Sequence, residues 1–338
     1  MKVSRSFFLL AALAAAAPVL GQDFARVNNL VITRDEYIRA LEQVPVTLPG
    51  ASGSVEAGRL VLDQLVAKKI VLDEAAKRGV LPTDADVQKR YDLQKRLVEA
   101  QMPGRSLESL MEAQGATPKL IKDEMRYQMA ETNLVAKEIG ISEDEVKKAY
   151  ESAKGQIGLP ERAQLRVVAP QSAGDFGEAQ KLLQAKTPFA KVAQQFNSPS
   201  LRASSGLMPQ PIPITAMPPA WQNKVKQMAA GSVFGPVEWP SANKNQPPAR
   251  MWIRIEKTYP ALVVPYDEAK PLVKEQLVKA RLADPKNDKN DKLQQLIARR
   301  KIEAKFQASD PRHQALWEEL RRRASQAQPA QTSASPTR

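Results

Sequence analysis

The sequence predicts an α+β protein in which a helical lobe is interrupted by a small α+β domain. Three observations carry this. Ala, Leu, Gln, Lys and Glu abound while aromatic residues make up only 5%, a balance that favours helices over a β-sandwich. Amphipathic stretches with short connections run from Val55 to Lys154 and return after Pro265, as in a helical lobe. Between them, from Glu161 to Tyr259, alternating strands and short helices replace that texture, as in a small domain around an antiparallel sheet. At 338 residues and 43% hydrophobic content the chain is long enough for two domains with ordinary cores.

The first residues read as a secretory signal, 1–21. Lys2 and Arg5 precede the apolar run Phe7 to Leu20, and Val19-Leu20-Gly21 offers a cleavage site before Gln22. The run is short against the ~20 residues that span a bilayer, so cleavage is favoured over a retained anchor. Phe24 to Thr33 then reads as a strand pair around Asn28-Asn29. Thr33 and Glu36 form a capping-box pattern for the next helix, and the Pro45 to Ser54 loop stops it.

Val55 to Gly79 is the strongest helix, with Leu62, Leu65, Val66 and Ile70 at helical spacing and Gly79 as C-cap. Helices follow over Asp84–Gln101, Leu107–Gln114, Thr117–Lys137 and from the Ser142 cap to about Lys154. Met102, Met111, Met125 and Met129 either line an adaptable client groove or are plain core.

Ala163–Ala169 alternates as a strand. Phe176–Ala185 and Phe189–Phe196 are helical, Asn197–Pro213 is an irregular loop, and Pro219–Met228 is a helix. Val233–Trp239 and Met251–Lys257 are strands separated by a polar insert, Pro240–Pro248. Helices return over Tyr266–Ala283, Asp291–Phe306 and His313–Arg323, with a polar break at Asp284–Lys289. The tail, 325–338, has the composition of a disordered segment.

Composition also excludes function classes. With no cysteine and one histidine, His313, there is no disulfide, thiol nucleophile, lipoprotein anchor or plausible zinc site, and no cofactor is expected. No GxxxxGK[ST] loop offers an ATP site. The net charge of +13 falls to +11 (13 − 2) without Lys2 and Arg5. For an exported protein that charge suits anionic membrane surfaces or acidic clients, or is simply a solvated basic surface; nucleic acid is not expected as a partner.

The series ARVNNLVIT, LDQLVAKKIVLDEAAKRGVLPTDADV, LMEAQGATPKLIKDEMRYQMAETNLV and ISEDEVKKAYE resembles the exported SurA/PrsA-type foldases. These carry a parvulin (PpiC-type rotamase) domain within a helical chaperone lobe of the SurA/trigger-factor kind. AQLRVVA, FAKVAQQFNSPS, SSGLM, AAGSVFGPVEW and MWIRIEK resemble successive parts of that rotamase domain. The resemblance implies five segments. These are the signal, an N-terminal helical chaperone domain at 22–158, the parvulin-like domain at 159–260, C-terminal helices at 261–324, and the tail.

It also implies where the site should be. Arg166 falls at the family's first histidine, Met251 at the second, and Pro199 at its Asp or Cys. No histidine or cysteine occurs anywhere from Glu161 to Tyr259. Met217 and Trp221, spaced to share one helical face, resemble the proline-ring clamp, with Met208 closing it; equally, Trp221 is the core residue of its helix. Arg166 is either a donor to the substrate carbonyl or the partner of a nearby carboxylate. Isomerisation crosses a barrier of about 18–20 kcal/mol set by amide resonance and needs no nucleophile, so losing the histidines weakens turnover without necessarily abolishing it. The main reading is an ATP-independent chaperone for unfolded or proline-containing polypeptides with weak or lost isomerase activity. An active prolyl isomerase with an atypical site and a non-catalytic envelope scaffold are the alternatives. The expected location is the periplasm, cell envelope or exterior.

Overall fold

The computed structural model describes residues 23–44, 54–239, 248–284 and 292–326. The signal segment 1–21, most of the Pro45–Ser54 loop and Pro240–Pro248 insert, the polar break beyond Asp284 and the tail beyond Gln326 lie outside the described residues. The chain divides into two compact units, one of Met1–Gly79 with Asp288–Arg338 and one of Val80–Asn287. Helices between residues 80 and 158 therefore group with the sheet domain rather than with the first helices of the chain.

In the first unit, strand β1 (Asp23–Val27) pairs antiparallel with β2 (Leu30–Thr33). The turn places Asn28 in the left-handed region, φ 53°, where Asn is among the better-tolerated side chains. Helix α1 (Arg34–Glu42) starts at the expected capping box. Thr33 Oγ1 accepts the Glu36 N–H at 3.1 Å, and Glu36 Oε2 accepts the Thr33 N–H at 2.8 Å. Helix α2 (Ser54–Lys77) buries Val61, Leu62, Val66 and Ile70 against the hairpin, and ends before Gly79 at φ 68°.

The second unit opens with α3 (Asp84–Gln101), α4 (Leu107–Glu112), α5 (Pro118–Glu138) and α6 (Glu143–Ala153). Each starts from a Ser or Thr whose side chain accepts a first-turn N–H. Met111 and Met125 pack against the buried Tyr91, Leu107 and Ile121, which is the core role rather than the groove. Strands β3 (Gly158–Leu159) and β8 (Leu262–Val263) form a two-stranded ladder flanking the sheet domain. Helix α11 (Tyr266–Leu282) returns to bury Ala269 and Val273 beside Val146 and Tyr150, and the Tyr150 hydroxyl donates to the Val264 carbonyl at 3.0 Å.

Between β3 and β8 the chain runs β4 (Arg162–Val168), α7 (Ala173–Gln184), α8 (Phe189–Phe196), α9 (Pro199–Ala203), β5 (Ile212–Pro213), a 3-10 turn (Ile214–Ala216), α10 (Pro219–Gln227), β6 (Val233–Trp239) and β7 (Ala249–Tyr259). The strands form one antiparallel sheet in the order β5-β4-β7-β6. Side chains alternate across it. Leu165, Val167, Ile253 and Ile255 pack with α10 on one face, and Val168 and Trp252 pack with α7 and α8 on the other. The Asn197–Pro213 stretch, expected as irregular, holds a short helix and a strand. Pro199 pre-sets the φ of a first helical turn, and Ile212 finds its partner in Ala163.

The chain ends in α12 (Lys292–Glu303), β9 (Phe306–Ala308) and α13 (Pro311–Gln326), which complete the first unit. Phe306, expected at the end of a helix, is instead in a strand paired with Val27 of β1. Its ring stacks on Trp317 at 4.9 Å, and Trp317 is 1% exposed. A free strand edge and an unfilled core outweigh local helical periodicity there. Ser325 and Gln326, expected in the tail, extend α13. The sole histidine, His313, lies against Phe24 and Tyr37 at 4.2 and 5.4 Å between ring centres, and burial pushes its pKa below the ordinary value. The buried Glu74 joins α2 to α12. It accepts from Arg78 Nε at 2.5 Å and Arg300 Nη2 at 3.3 Å.

Candidate functional site

Four of the six singled-out residues meet in one apolar cluster on the α10 face of the sheet. Met217 ends the 3-10 turn and Trp221 stands in the first turn of α10. Pro218 and Pro219 fix the entry of that helix; Met217 and Pro218 are extended, so the two side chains meet by packing across the bend and not, as expected, along one helical face. Met251 on β7 and Met208 from the loop after α9 pack into the same cluster. Trp221 meets Phe234 and Trp239 of β6 edge-on, with ring centres 6.0 and 5.3 Å apart. Met217, Trp221 and Met251 are 3%, 8% and 9% exposed, so all three are covered by neighbouring side chains.

Arg166 and Pro199 do not join them. Strand alternation sends Arg166 to the side of the sheet opposite Leu165 and Val167. There its Nε donates to Glu256 at 2.7 Å, and one Nη donates to the Ser205 and Ser204 carbonyls at 2.7 and 3.3 Å. Of the alternatives open from sequence, this is the carboxylate partnership. The β4 residues on the side of Met217 and Trp221 are Ala163, Leu165 and Val167, all buried. Pro199 is exposed at the start of α9, where its ring offers no proton donor or acceptor. The side chains that face the cluster from the sheet are therefore hydrocarbon and thioether.

A polar residue beside Pro199, not singled out from sequence, does the structural work of this region. Asn197 is fully buried. Its Oδ1 accepts the Ala169 N–H at 2.6 Å and its Nδ2 donates to the Val167 carbonyl at 2.8 Å, tying the end of α8 to β4. Gly206, at φ 80°, lies against the same spot. A Cβ there would meet the Val167 oxygen at 2.3 Å, so close approach and backbone sign both require glycine. The sequence signal, an Asn between a helix and a Pro-led turn, is too common to identify it.

At the opposite end of β4, Arg162 is 4% exposed with its guanidinium 5.6 Å from the Tyr259 ring centre. Burial lowers its pKa. Nothing in this geometry supplies a nucleophile. Among the described residues no cluster of His, Asp and Glu is arranged to hold a metal. What the α10 face offers is an apolar, polarisable surface of Met and Trp side chains, suited to aliphatic and ring contacts.

Residues 141–271 match the model of the PPIC-type PPIase domain. A curated protein, the foldase protein PrsA of Caldanaerobacter subterraneus subsp. tengcongensis, is 23% identical over 293 residues, covering 81% of this chain and 83% of its own. Among solved structures, the peptidylprolyl isomerase PrsA of Bacillus cereus is 18% identical, with 87% of this chain and 98% of that chain covered and a TM-score of 0.29. A structure from work on PEB4 and Cj1289, described as SurA-like chaperones of Campylobacter jejuni, is also 18% identical, with 80% and 96% covered and a TM-score of 0.31.

Proposed function

We propose that this protein, a parvulin foldase of the SurA/PrsA type, acts mainly as an ATP-independent holder of unfolded polypeptide and isomerises Xaa-Pro bonds weakly or not at all. One observation carries the second half. The residues directed at the apolar cluster from β4 and β7 are Ala163, Leu165, Val167, Met251, Ile253 and Ile255, all apolar, while Arg166 is engaged by Glu256 on the other side of the sheet. A twisted amide concentrates charge on its carbonyl, and lowering the barrier requires groups that favour that state over the planar one. Apolar side chains hold a proline ring equally well in both, which gives binding without much acceleration.

In this reading Met208, Met217 and Trp221 are the peptide-holding surface, and Arg166, Met251 and Pro199 are degenerate positions of the family's polar site. The helical segments within 22–158 and 261–324 share the holding of clients. The clients are unfolded or nascent exported chains, met in the periplasm, envelope or exterior. The net charge of +11 left without Lys2 and Arg5 (13 − 2) favours acidic clients and weak contact with anionic membrane surfaces.

A protease-coupled assay on a short Xaa-Pro peptide tests the proposal. The expected rate is within a few-fold of buffer, while aggregation of an unfolded client is still suppressed. A rate well above buffer that disappears in Trp221→Ala, with folding checked by urea denaturation, would overturn it in favour of an active isomerase with an atypical site.

A further inference from the structure

The surface offered to a proline ring is already occupied by the protein itself. Met217 and Trp221 are 3% and 8% exposed, so an incoming ring has almost no area of either to touch. Trp239, the last residue of β6, lies at the rim of the cluster and is only partly buried. Its indole meets Trp221 edge-on at 5.3 Å and 65°. Ladder register brings it there. Val237 pairs with Met251 and Trp239 with Ala249, so Val237 and Trp239 project toward the cluster beside Met251. Trp239 thus contributes a ring to the aromatic face that a bound proline would use, and it comes from a strand end rather than from the interior.

We infer that the Trp239 indole is an internal occupant of the apolar slot, and that peptide enters only by displacing it. This rests on the reading of Met217 and Trp221 as the peptide-holding surface. The self-occupied state lowers apparent affinity by the fraction of molecules in which the slot is closed. It also shields a Met- and Trp-lined surface until a sufficiently apolar segment competes for it. An edge-to-face aromatic contact corresponds to roughly a two- to tenfold change in an equilibrium constant. Removing the indole should tighten binding by about that factor.

The test is fluorescence anisotropy of a dye-labelled, unstructured Ala-Ala-Pro-Phe peptide titrated with the full chain, with Trp239→Ala and with Trp221→Ala. The expected result is tighter binding by Trp239→Ala and weaker binding by Trp221→Ala. Trp239→Leu covers the case in which the alanine variant melts early, and should shift affinity in the same direction. If Trp221→Ala weakens binding but Trp239→Ala and Trp239→Leu bind equally or less well, Trp239 is a wall of the slot, and the self-occupancy is wrong while the slot reading stands. If Trp221→Ala binds like the unaltered protein, or none of the proteins binds the peptide, the slot reading and the inference fall together.

Discussion

Asn197 offers the sharpest test of how the sheet domain is held together. Its carboxamide is fully buried and bridges Ala169 N–H (2.6 Å) and Val167 C=O (2.8 Å). Asn197→Ala removes both bonds. Ala169 is itself buried at 9% exposure and lies just past the end of β4, so its N–H is left without an acceptor. Orphaning a buried amide costs about 1–3 kcal/mol, and the second lost bond adds about 1 kcal/mol, for a total of roughly 2–4 kcal/mol. Asn197→Asp separates the two bonds. An ionised carboxylate can accept from Ala169 but repels the Val167 oxygen, whereas the protonated acid can do both jobs. The folded-state pKa of that aspartate should therefore lie above its unfolded value of about 3.9. Stability of the Asp variant is then greatest below that unfolded value and is lost as pH rises through the folded pKa. Urea denaturation of the unaltered protein and both variants at pH 4 and pH 7 reads this directly. A loss below about 0.5 kcal/mol for Asn197→Ala, or an Asp variant with no added pH dependence, would refute the reasoning.

Two further outcomes follow from other contacts. Arg166→Ala should destabilise the sheet domain by about 1–2 kcal/mol, because the pair with Glu256 is only partly exposed. The same change should leave affinity for the proline peptide within about twofold, a factor worth only ~0.4 kcal/mol, since the side chain faces away from Trp221; a large loss of binding measured by anisotropy would return Arg166 to the site. In the first unit, burial raises the Glu74 carboxyl, but hydrogen bonds from Arg78 and Arg300 outweigh it and hold the pKa below its usual value. The associated stability is present above the unfolded value of about 4.3 and is lost as pH falls through the lower folded value. Glu74→Gln should flatten that acid limb in urea titrations between pH 5 and pH 2, and an unchanged acid limb counts against the role of the pair.

The sequence by itself determined the local structure, because the signals for it are local. Thr33 with Glu36 specified a capped helix start, the 3.6-residue spacing of Leu62, Val66 and Ile70 specified α2, and the alternation of AQLRVVA specified β4. It also determined that no histidine or cysteine could serve the rotamase domain, since none occurs there. The four-residue step from Met217 to Trp221, expected to mark one helical face, does not do so: Met217 and Pro218 are extended, α10 begins only at Pro219, and the two side chains meet through packing in the same cluster.

Tertiary structure alone decided what depends on distant partners. Phe306 became a strand because β1, hundreds of residues earlier, presents an edge to it. Met111 and Met125 became core because Tyr91, Leu107 and Ile121 converge on them. Above all, the side of the sheet on which a β4 residue falls is a matter of one position. A shift of a single residue exchanges the two faces, and a pattern comparison that aligned Arg166 with a histidine had no way to sense it. The uninterrupted alternation of β4 puts Leu165 on the side of Trp221 and Arg166 on the other, where β7, with its register shift opposite Gln164 and Leu165, presents Glu256.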